Sequence, residues 1–326
     1  MDWDAIDAIG EFVGAIGSLV IACVVAYIAT RQWLDGKRFE RQRKELTEEI
    51  EKHNQEARAE QERIVRAQSL DSYFDGISTL LLRDEDGALT EMARSLTKGR
   101  TDAILKILKS DEKRNLVTFL YGSGLISWDG DGRRPVVGLS GSDLSQADLK
   151  GSVLRNAGMG MDNMRQARLS ETELDEADLR GADLTGADLK AADLSRANLH
   201  GVIASAADFT DADLSNSEFS GGDLRGADLG GADLTSANLS GSNLRGANLT
   251  GARLGAANLD GANLREARLA GAELLDTQLS NLVSIEGADF TGALNLAAGT
   301  RSYLCSIASG AHPDTGRDTR ATLGCS

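Results

Sequence analysis

Hydrophobic side chains recur at every fifth residue from Leu139 to Leu279. A second column, two residues earlier in each unit, is restricted mainly to small side chains, and 19 of its 29 members are Ala. An α-helix repeats about every 3.6 residues and a strand about every 2. The pattern therefore predicts neither, and indicates a tandem repeat. Of the 29 positions in the hydrophobic series, 24 are Leu and the others are Met159, Met164, Ala204, Phe209 and Phe219.

The repeated unit reads Ala-(Asp/Asn)-Leu-x-x, and two distinctive stretches precede it. These are SLDSYFDGISTLLL at residues 69–82 and ARSLTKGRTDAILKILKSDEKRNLVTFLYGSGLI at residues 93–126. With these features the chain resembles bacterial pentapeptide-repeat proteins that carry a helical module before the repeats. The resemblance implies an all-β right-handed quadrilateral β-helix with four pentapeptides per turn. It also implies that the central Leu and the small residue point inward, and that the residue before each Leu points outward.

Twenty-nine units correspond to about seven turns, and to a rod about 35 Å long at a strand spacing of about 4.8 Å. The ends of such a stack must be covered. We expect the helices before Leu139 to cover one end. Ile285 and Phe290 fall one residue late after Leu279, so a slipped stretch is expected at the other end.

An uncharged stretch of nineteen residues extends from Phe12 to Thr30. A bilayer core requires about 20 apolar residues in a helix, and the acidic start does not fit a cleaved signal peptide. The sequence predicts one transmembrane helix. Basic residues follow the stretch and none precedes it, which places the short N-terminus outside and the later domains in the cytoplasm. Small residues at intervals of four predict self-association of this helix, through Gly10, Gly14, Ser18, Ala22 and Ala26. Association with an unknown partner helix is the alternative.

The segment between the apolar stretch and the repeat reads as helical. Residues 35–63 are predicted to form a charged helix with only a partial heptad repeat. A weak coiled coil and a solvated helical spacer are therefore two alternative interpretations of this segment. Its apolar heptad positions are Phe39, Leu46, Ile50, Ala57 and Ile64. A small helical module follows, with an expected core of Leu80, Leu81, Leu82, Ile104, Ile107, Leu108, Val117, Leu120 and Ile126. The predicted domains are residues 1–34 (anchor), 35–63 (charged helix), 64–134 (helical module), 135–294 (repeat) and 295–326 (polar tail).

Residues twenty apart stack on one face of the expected rod, so outward residues can be mapped. Two neighbouring faces carry acidic ladders, which are the candidate partner-binding residues: Asp188, Asp208 and Asp228 on one face, and Glu173, Asp193, Asp213 and Asp233 on the next. The alternative is that the family simply prefers Asp in this column, where a solvated carboxylate is tolerated without any role in binding. A basic stripe of Arg165, Arg225, Arg245 and Arg265 is expected to balance charge.

Catalytic, metal-binding and cofactor-binding sites are not expected. The tail contains Cys305, His312, Asp314 and Cys325, but its His-Pro-Asp-Thr-Gly run is a turn composition. In the reducing cytoplasm the two cysteines are expected as free thiols.

The net charge of −15 argues against nucleic acid as a direct partner. We therefore expect a non-enzymatic, membrane-tethered scaffold that binds an unknown protein. The alternative, implied by the resemblance, is an acidic rod that mimics DNA and binds DNA gyrase. Residues 139–279 contain 22 acidic and 12 basic side chains, a net charge of −10, which is compatible with it.

Overall fold

A computed structural model of the chain describes residues 3–80, 91–127 and 135–325, without the side chains of residues 3–19, 21 and 80. It divides into two units, Met1–Gln68 and Ser69–Ser326. Within the described residues the helices are α1 (Trp3–Leu80), α2 (Glu91–Ile107), α3 (Ser110–Gly122), α4 (Ala298–Ile307) and α5 (Thr319–Leu323).

The first unit consists of helix α1 up to Gln68. The predicted charged helix at residues 35–63 is confirmed as helical. Its apolar heptad residues are exposed, including Phe39, Leu46 and Ile50, while Glu60 and Arg63 form an ion pair at 2.7 Å. A coiled coil at this helix stays a prediction.

The side chains of nine of the nineteen residues in the predicted transmembrane stretch, 12–19 and 21, lie outside the described part of the chain. In the proposed association stripe, Gly10, Gly14 and Ser18 also lie there, whereas Ala22 and Ala26 are described and exposed. Within the part of the chain that the structure describes, no helix is long and apolar enough to cross a membrane. Membrane anchoring therefore stays a prediction.

The end of α1, with α2 and α3, forms the small helical module. Tyr73 of α1 is buried and its hydroxyl lies 3.0 Å from that of Thr101 on α2. Burial raises the pKa of Tyr73 to about 12 although this hydrogen bond acts to lower it. Phe74 packs edge-to-face on Phe119 of α3, with ring centroids 5.0 Å apart.

The predicted core of this module is confirmed for its described members except one. Ile104, Leu108, Val117, Leu120 and Ile126 are buried, whereas Ile107 is 46% exposed. The buried face of α2 contains Thr97, Thr101, Ile104 and Leu105. Because successive helical residues turn by about 100°, Ile107 lies beside this face and not within it. Leu80, Leu81 and Leu82 lie outside the described side chains.

The repeat folds as a four-sided β-helix with twenty residues per coil. Parallel bridges join each outward residue to the one twenty positions later, in an unbroken series from Asp143↔Asn163 to Asn258↔Gln278. The central Leu column and the small column are buried throughout. The predicted period, register and inward positions are thereby confirmed.

Tight turns form the corners of each coil. In a typical corner the N–H of Ala147 donates to the carbonyl of Leu144 at 3.0 Å, and Gln146 has a φ of 55°. A positive φ at the third turn residue is the mark of a type II turn.

The helical module covers the edge of the first coil, where backbone carbonyls have no earlier coil to accept from. Lys113 donates to the carbonyl of Ser145 at 3.0 Å, Ser110 to that of Gln146, and Arg114 to that of Asp148. On another side of the rod, the N–H of Gly158 donates to the carbonyl of Ile126 at 3.0 Å. An open strand edge is thus satisfied by side chains and a neighbouring segment.

The register slip after Leu279 is confirmed. The bridges Asn263↔Ser284 and Arg268↔Asp289 span twenty-one residues, and both Ile285 and Phe290 are buried. The single extra residue lies between Leu279 and Ser284, and it lets the coil continue to Leu294, which bridges to Glu273.

The segment expected as a polar tail contains helices α4 and α5, and its apolar Leu304 and Leu323 are buried. The expectation of free thiols at Cys305 and Cys325 is wrong, because these two residues form a disulfide. The two helices bring their Cα atoms to 5.6 Å, within the usual range of about 4.4–6.8 Å for a disulfide.

Candidate functional site

The predicted acidic ladders are present and in register. Asp188 bridges to Asp208, and Asp208 to Asp228, on one side of the rod. On the neighbouring side the bridges join Glu173, Asp193, Asp213 and Asp233. Asp213 is exposed and the other six residues are half-buried. Both ladders therefore reach solvent.

Six of the seven ladder carboxylates also stabilise the backbone. The Oδ1 of Asp213 accepts the N–H of Ser215 at 2.9 Å, and that of Asp193 accepts the N–H of Ser195 at 3.0 Å. Corresponding hydrogen bonds occur at Asp188, Asp208, Asp228 and Asp233. An Asx turn of this kind explains why the column is rich in Asp and Asn, and it supports a structural role beside any binding role.

Ion pairs neutralise part of the ladders. Lys190 lies 3.0 Å from Asp208, Arg253 lies 3.1 Å from Asp233, and Arg155 lies 2.8 Å from Glu173. Among the described residues, no ion pair closer than 4.0 Å involves Asp188, Asp193, Asp213 or Asp228, and Asp228 accepts a hydrogen bond from Nδ2 of Asn248 at 2.8 Å. Asp188, Asp193 and Asp213 are therefore the strongest candidates on this surface for binding a cation of a partner.

The pKa of Asp208 reflects its environment. Partial burial acts to raise it, but hydrogen bonds from Thr210 and the ion pair with Lys190 outweigh burial and hold the pKa below its usual range. Asp208 therefore remains charged at neutral pH and contributes to the negative face.

The basic stripe is engaged with acidic neighbours. Arg165 lies 3.0 Å from Asp183, and Arg225 forms two hydrogen bonds with Asp223. Glu266 pairs with both Arg245 and Arg265 at 3.1 Å. This geometry supports the interpretation that the stripe balances charge.

The residues of the C-terminal segment that invite a catalytic interpretation have structural contacts. The Nδ1 of buried His312 accepts the backbone N–H groups of Asp314 and Thr315 at 3.2 and 3.3 Å, and Cys305 is in the disulfide. In the described part of the chain, no group of three or more His, Cys, Asp or Glu side chains is placed to hold a metal ion.

The sequence did not predict two features of the structure. The first is a groove of about 1070 Å³ between α2 and the first coils. Two of the basic side chains that line it already form ion pairs, Lys98 with Asp102 and Arg180 with Asp178. The second feature is Asp162, a fully buried carboxyl at a position of the small column. Its place in that column could have revealed it, whereas the groove depends on how α2 packs.

Comparison with known proteins agrees with the coil geometry. The model of the family of pentapeptide repeats matches eight copies, within residues 163–201, 192–231, 212–254, 247–281 and 257–294. A pentapeptide repeat protein from the thylakoid lumen of Arabidopsis thaliana is 35% identical, over 45% of this chain and 90% of its own, with a TM-score of 0.34. The chain belongs to the pentapeptide-repeat proteins.

Two other solved pentapeptide-repeat proteins have lower sequence identity to this chain. HetL from the cyanobacterium Nostoc sp. strain PCC 7120, which is involved in the regulation of heterocyst differentiation, is 28% identical over 53% of this chain and 94% of its own, with a TM-score of 0.26. QnrB1, a plasmid-mediated fluoroquinolone resistance protein, is 18% identical over 51% and 90%, with a TM-score of 0.23. These TM-scores are too low for a functional inference. No curated protein matches the chain.

Proposed function

We propose that this pentapeptide-repeat protein is a non-enzymatic scaffold that binds a basic protein partner along its acidic ladders. The observation that carries the proposal is the placement of Asp188, Asp193 and Asp213. They lie on neighbouring faces of successive coils, reach solvent, and have no ion pair in the described part of the chain. The coil edges are covered by helices, so the faces are the surfaces left for a partner.

The spacing of the ladders favours a partner with regularly placed cations. Successive coils are about 4.8 Å apart, and carboxylates at that distance repel each other by about 1 kcal/mol in water before screening. Lys or Arg side chains of a partner would relieve this repulsion. Association should then be faster at low salt, as is usual for complementary charged surfaces.

We further propose that the apolar stretch from Phe12 to Thr30 tethers the scaffold to the cell membrane, with the N-terminus outside. The six Lys and Arg residues that follow between Arg31 and Lys44 support this orientation. Self-association of the stretch through its small residues would bring several ladders together.

Photo-crosslinking in membranes tests the binding surface. The test variant combines Asp193→Asn with Asp213→Asn, which keeps the oxygen that caps the turn and removes two charges. The matched control combines Asp211→Asn with Asp276→Asn, two exposed turn carboxylates outside the ladders.

We expect wild type and control to capture the same protein, and the ladder variant to capture about tenfold less, as when two exposed attractions are lost. Equal capture by the ladder variant would rule out these carboxylates as the binding surface.

The alternative function is a DNA-mimicking binder of DNA gyrase. The net charge of −10 on residues 139–279 favours it, whereas the added helical module and the Arg stripe depart from that group. A supercoiling assay with the full chain distinguishes the two, because no effect at micromolar concentration would remove the gyrase hypothesis.

A further inference from the structure

The C-terminal segment covers the last coil of the rod. Helices α4 and α5 are linked by a short loop in which Ala311 and Asp318 form an antiparallel bridge. Leu304 of α4 and Leu323 of α5 are buried and belong to the same hydrophobic core as the rod. We call residues 298–325 the C-terminal cap.

The cap satisfies backbone N–H groups that have no later coil to donate to. The N–H of Gly287 donates to the carbonyl of Ser309 at 2.9 Å. The N–H of Phe290 donates to the hydroxyl of Thr322 in α5 at 3.2 Å. A cap that lifted away would leave these groups as an open strand edge.

Two parts of the cap are held in different ways. The loop is fixed by ion pairs to the rod, Arg317 to buried Asp289 at 3.3 Å and Arg268 to Asp314 at 2.5 Å. Helix α5 has only five residues, which is too short to be stable without tertiary contacts. The disulfide from Cys325 to Cys305 joins the end of α5 to α4.

We propose that the Cys305–Cys325 pair is a redox-controlled latch for helix α5. A thiolate of a dithiol reductant attacks the disulfide and forms a mixed disulfide. Its second thiol then displaces the remaining cysteine, so that the two cysteines become thiols and the reductant becomes a disulfide. Both residues are partly exposed, so such a reductant can reach them. Once reduced, α5 leaves the rod and uncovers the N–H of Phe290, while the loop stays fixed by its ion pairs.

The orientation predicted from the basic residues after the apolar stretch favours a switch over a permanent crosslink. It places the cap in a reducing compartment, where disulfides are usually transient and act in catalysis or redox sensing. Redox sensing is the role that fits a partly exposed pair in such a compartment. It rests on the proposed orientation of the membrane tether and is independent of the acidic ladders.

Hydrogen exchange of the full chain tests the latch at single amides, in a Cys23→Ser background that removes the exposed third cysteine. Oxidised and reduced samples are compared by mass spectrometry with electron-transfer fragmentation. The amide of Phe290 should exchange at least about tenfold faster after reduction, since the disulfide no longer limits local opening. The amide of Gly287, held by Ser309 in the fixed loop, should not change and is the internal control.

A second variant removes the disulfide by substitution, so that its effect on hydrogen exchange can be measured without adding a reductant. Cys305→Ser combined with Cys325→Ser should show fast exchange at Phe290 under both conditions. Equal exchange at Phe290 in the oxidised and reduced Cys23→Ser protein would overturn the proposal. So would a reduction that accelerates Gly287 equally, or alkylation of both cysteines after oxidation.

Discussion

Asp162 accepts a 2.8 Å hydrogen bond from the backbone N–H of Ser142, which lies one coil earlier in the rod. The carboxyl is fully buried at a position where the repeat usually has Ala, and its Oδ2 has no partner in the described structure. Burial raises the pKa of Asp162 well above its usual range, against hydrogen bonds from Ser142 and Gly141 and the charge of Lys98, while Asp102 raises it further.

Asp162→Asn should therefore change the pH dependence of stability. Below the pKa of the unfolded chain, about 3.9, both states hold the proton and burial carries no ionisation penalty. As the pH rises towards the folded pKa, the unfolded state releases its proton while the folded state keeps it, so the free energy of unfolding falls. The variant lacks this loss. We expect it to be more stable than wild type at pH 8 by about 1 kcal/mol or more, since one unit of pKa shift corresponds to about 1.4 kcal/mol, and the gain to shrink towards pH 4.

Urea unfolding between pH 4 and pH 8 measures this difference. Asp211→Asn removes an exposed carboxyl with the same change of shape and is the control. A gain for Asp162→Asn that did not depend on pH would mean that its carboxyl does not titrate between the folded and unfolded states.

The β-helix could be predicted residue by residue, because a strict period of five fixes which positions point inward on every coil. The slip at Ile285 and Phe290 was visible for the same reason. The Cys305–Cys325 bond was not, because Cys305 and Cys325 meet only through the packing of two short helices. Likewise the groove beside α2 depends on packing that no sequence period encodes.

The two ends of the rod present different halves of the hydrogen bonds between coils. At the first coil, Lys113 donates to the carbonyl of Ser145, and the carbonyl of Ile126 accepts the N–H of Gly158. At the last coil, Thr322 and Ser309 accept the N–H groups of Phe290 and Gly287. Parallel strands exchange hydrogen bonds in both directions, so the groups to be covered stand at different positions at the two ends, and the helical module and the cap are not interchangeable.

Two substitutions at Asp213 test separately the turn hydrogen bond and the negative charge of this ladder residue. Asp213→Ala should destabilise the protein by about 0.5–1.5 kcal/mol, because the N–H of Ser215 loses its acceptor. Asp213→Asn keeps an acceptor oxygen and should be within about 0.5 kcal/mol of wild type. Thermal unfolding of both variants checks this, and equal losses would show that charge and not the turn hydrogen bond is what Asp213 contributes.

Gly241 occupies a turn position where the backbone conformation disfavours any residue with a side chain. Its φ is 65°, and a Cβ would meet nothing within 4 Å, so Gly241→Ala should lose about 1 kcal/mol through backbone strain alone. Gly255 has no positive φ, and a Cβ there would contact only the carbonyl of Leu275 at 3.9 Å. Gly255→Ala should be neutral or stabilising by less than about 1 kcal/mol. Chemical unfolding that ranked the two variants in the opposite order would contradict the turn assignment.

Val202 and Gly222 occupy stacked positions of the small column, where one is larger and the other smaller than the usual Ala. A Cβ at Gly222 would lie 3.0 Å from the carbonyl oxygen of Phe219 and 3.3 Å from Cγ1 of Val202, so part of the crowding at Gly222 depends on the side chain of Val202. Gly222→Ala alone should cost about 1–3 kcal/mol by overpacking, and Val202→Ala alone should lose buried contacts. Together they restore Ala at both positions, and the double variant should be more stable than the sum of the single effects by about 1 kcal/mol or more. A double-mutant cycle in urea measures this coupling, and additive losses would show that the two side chains were tolerated independently.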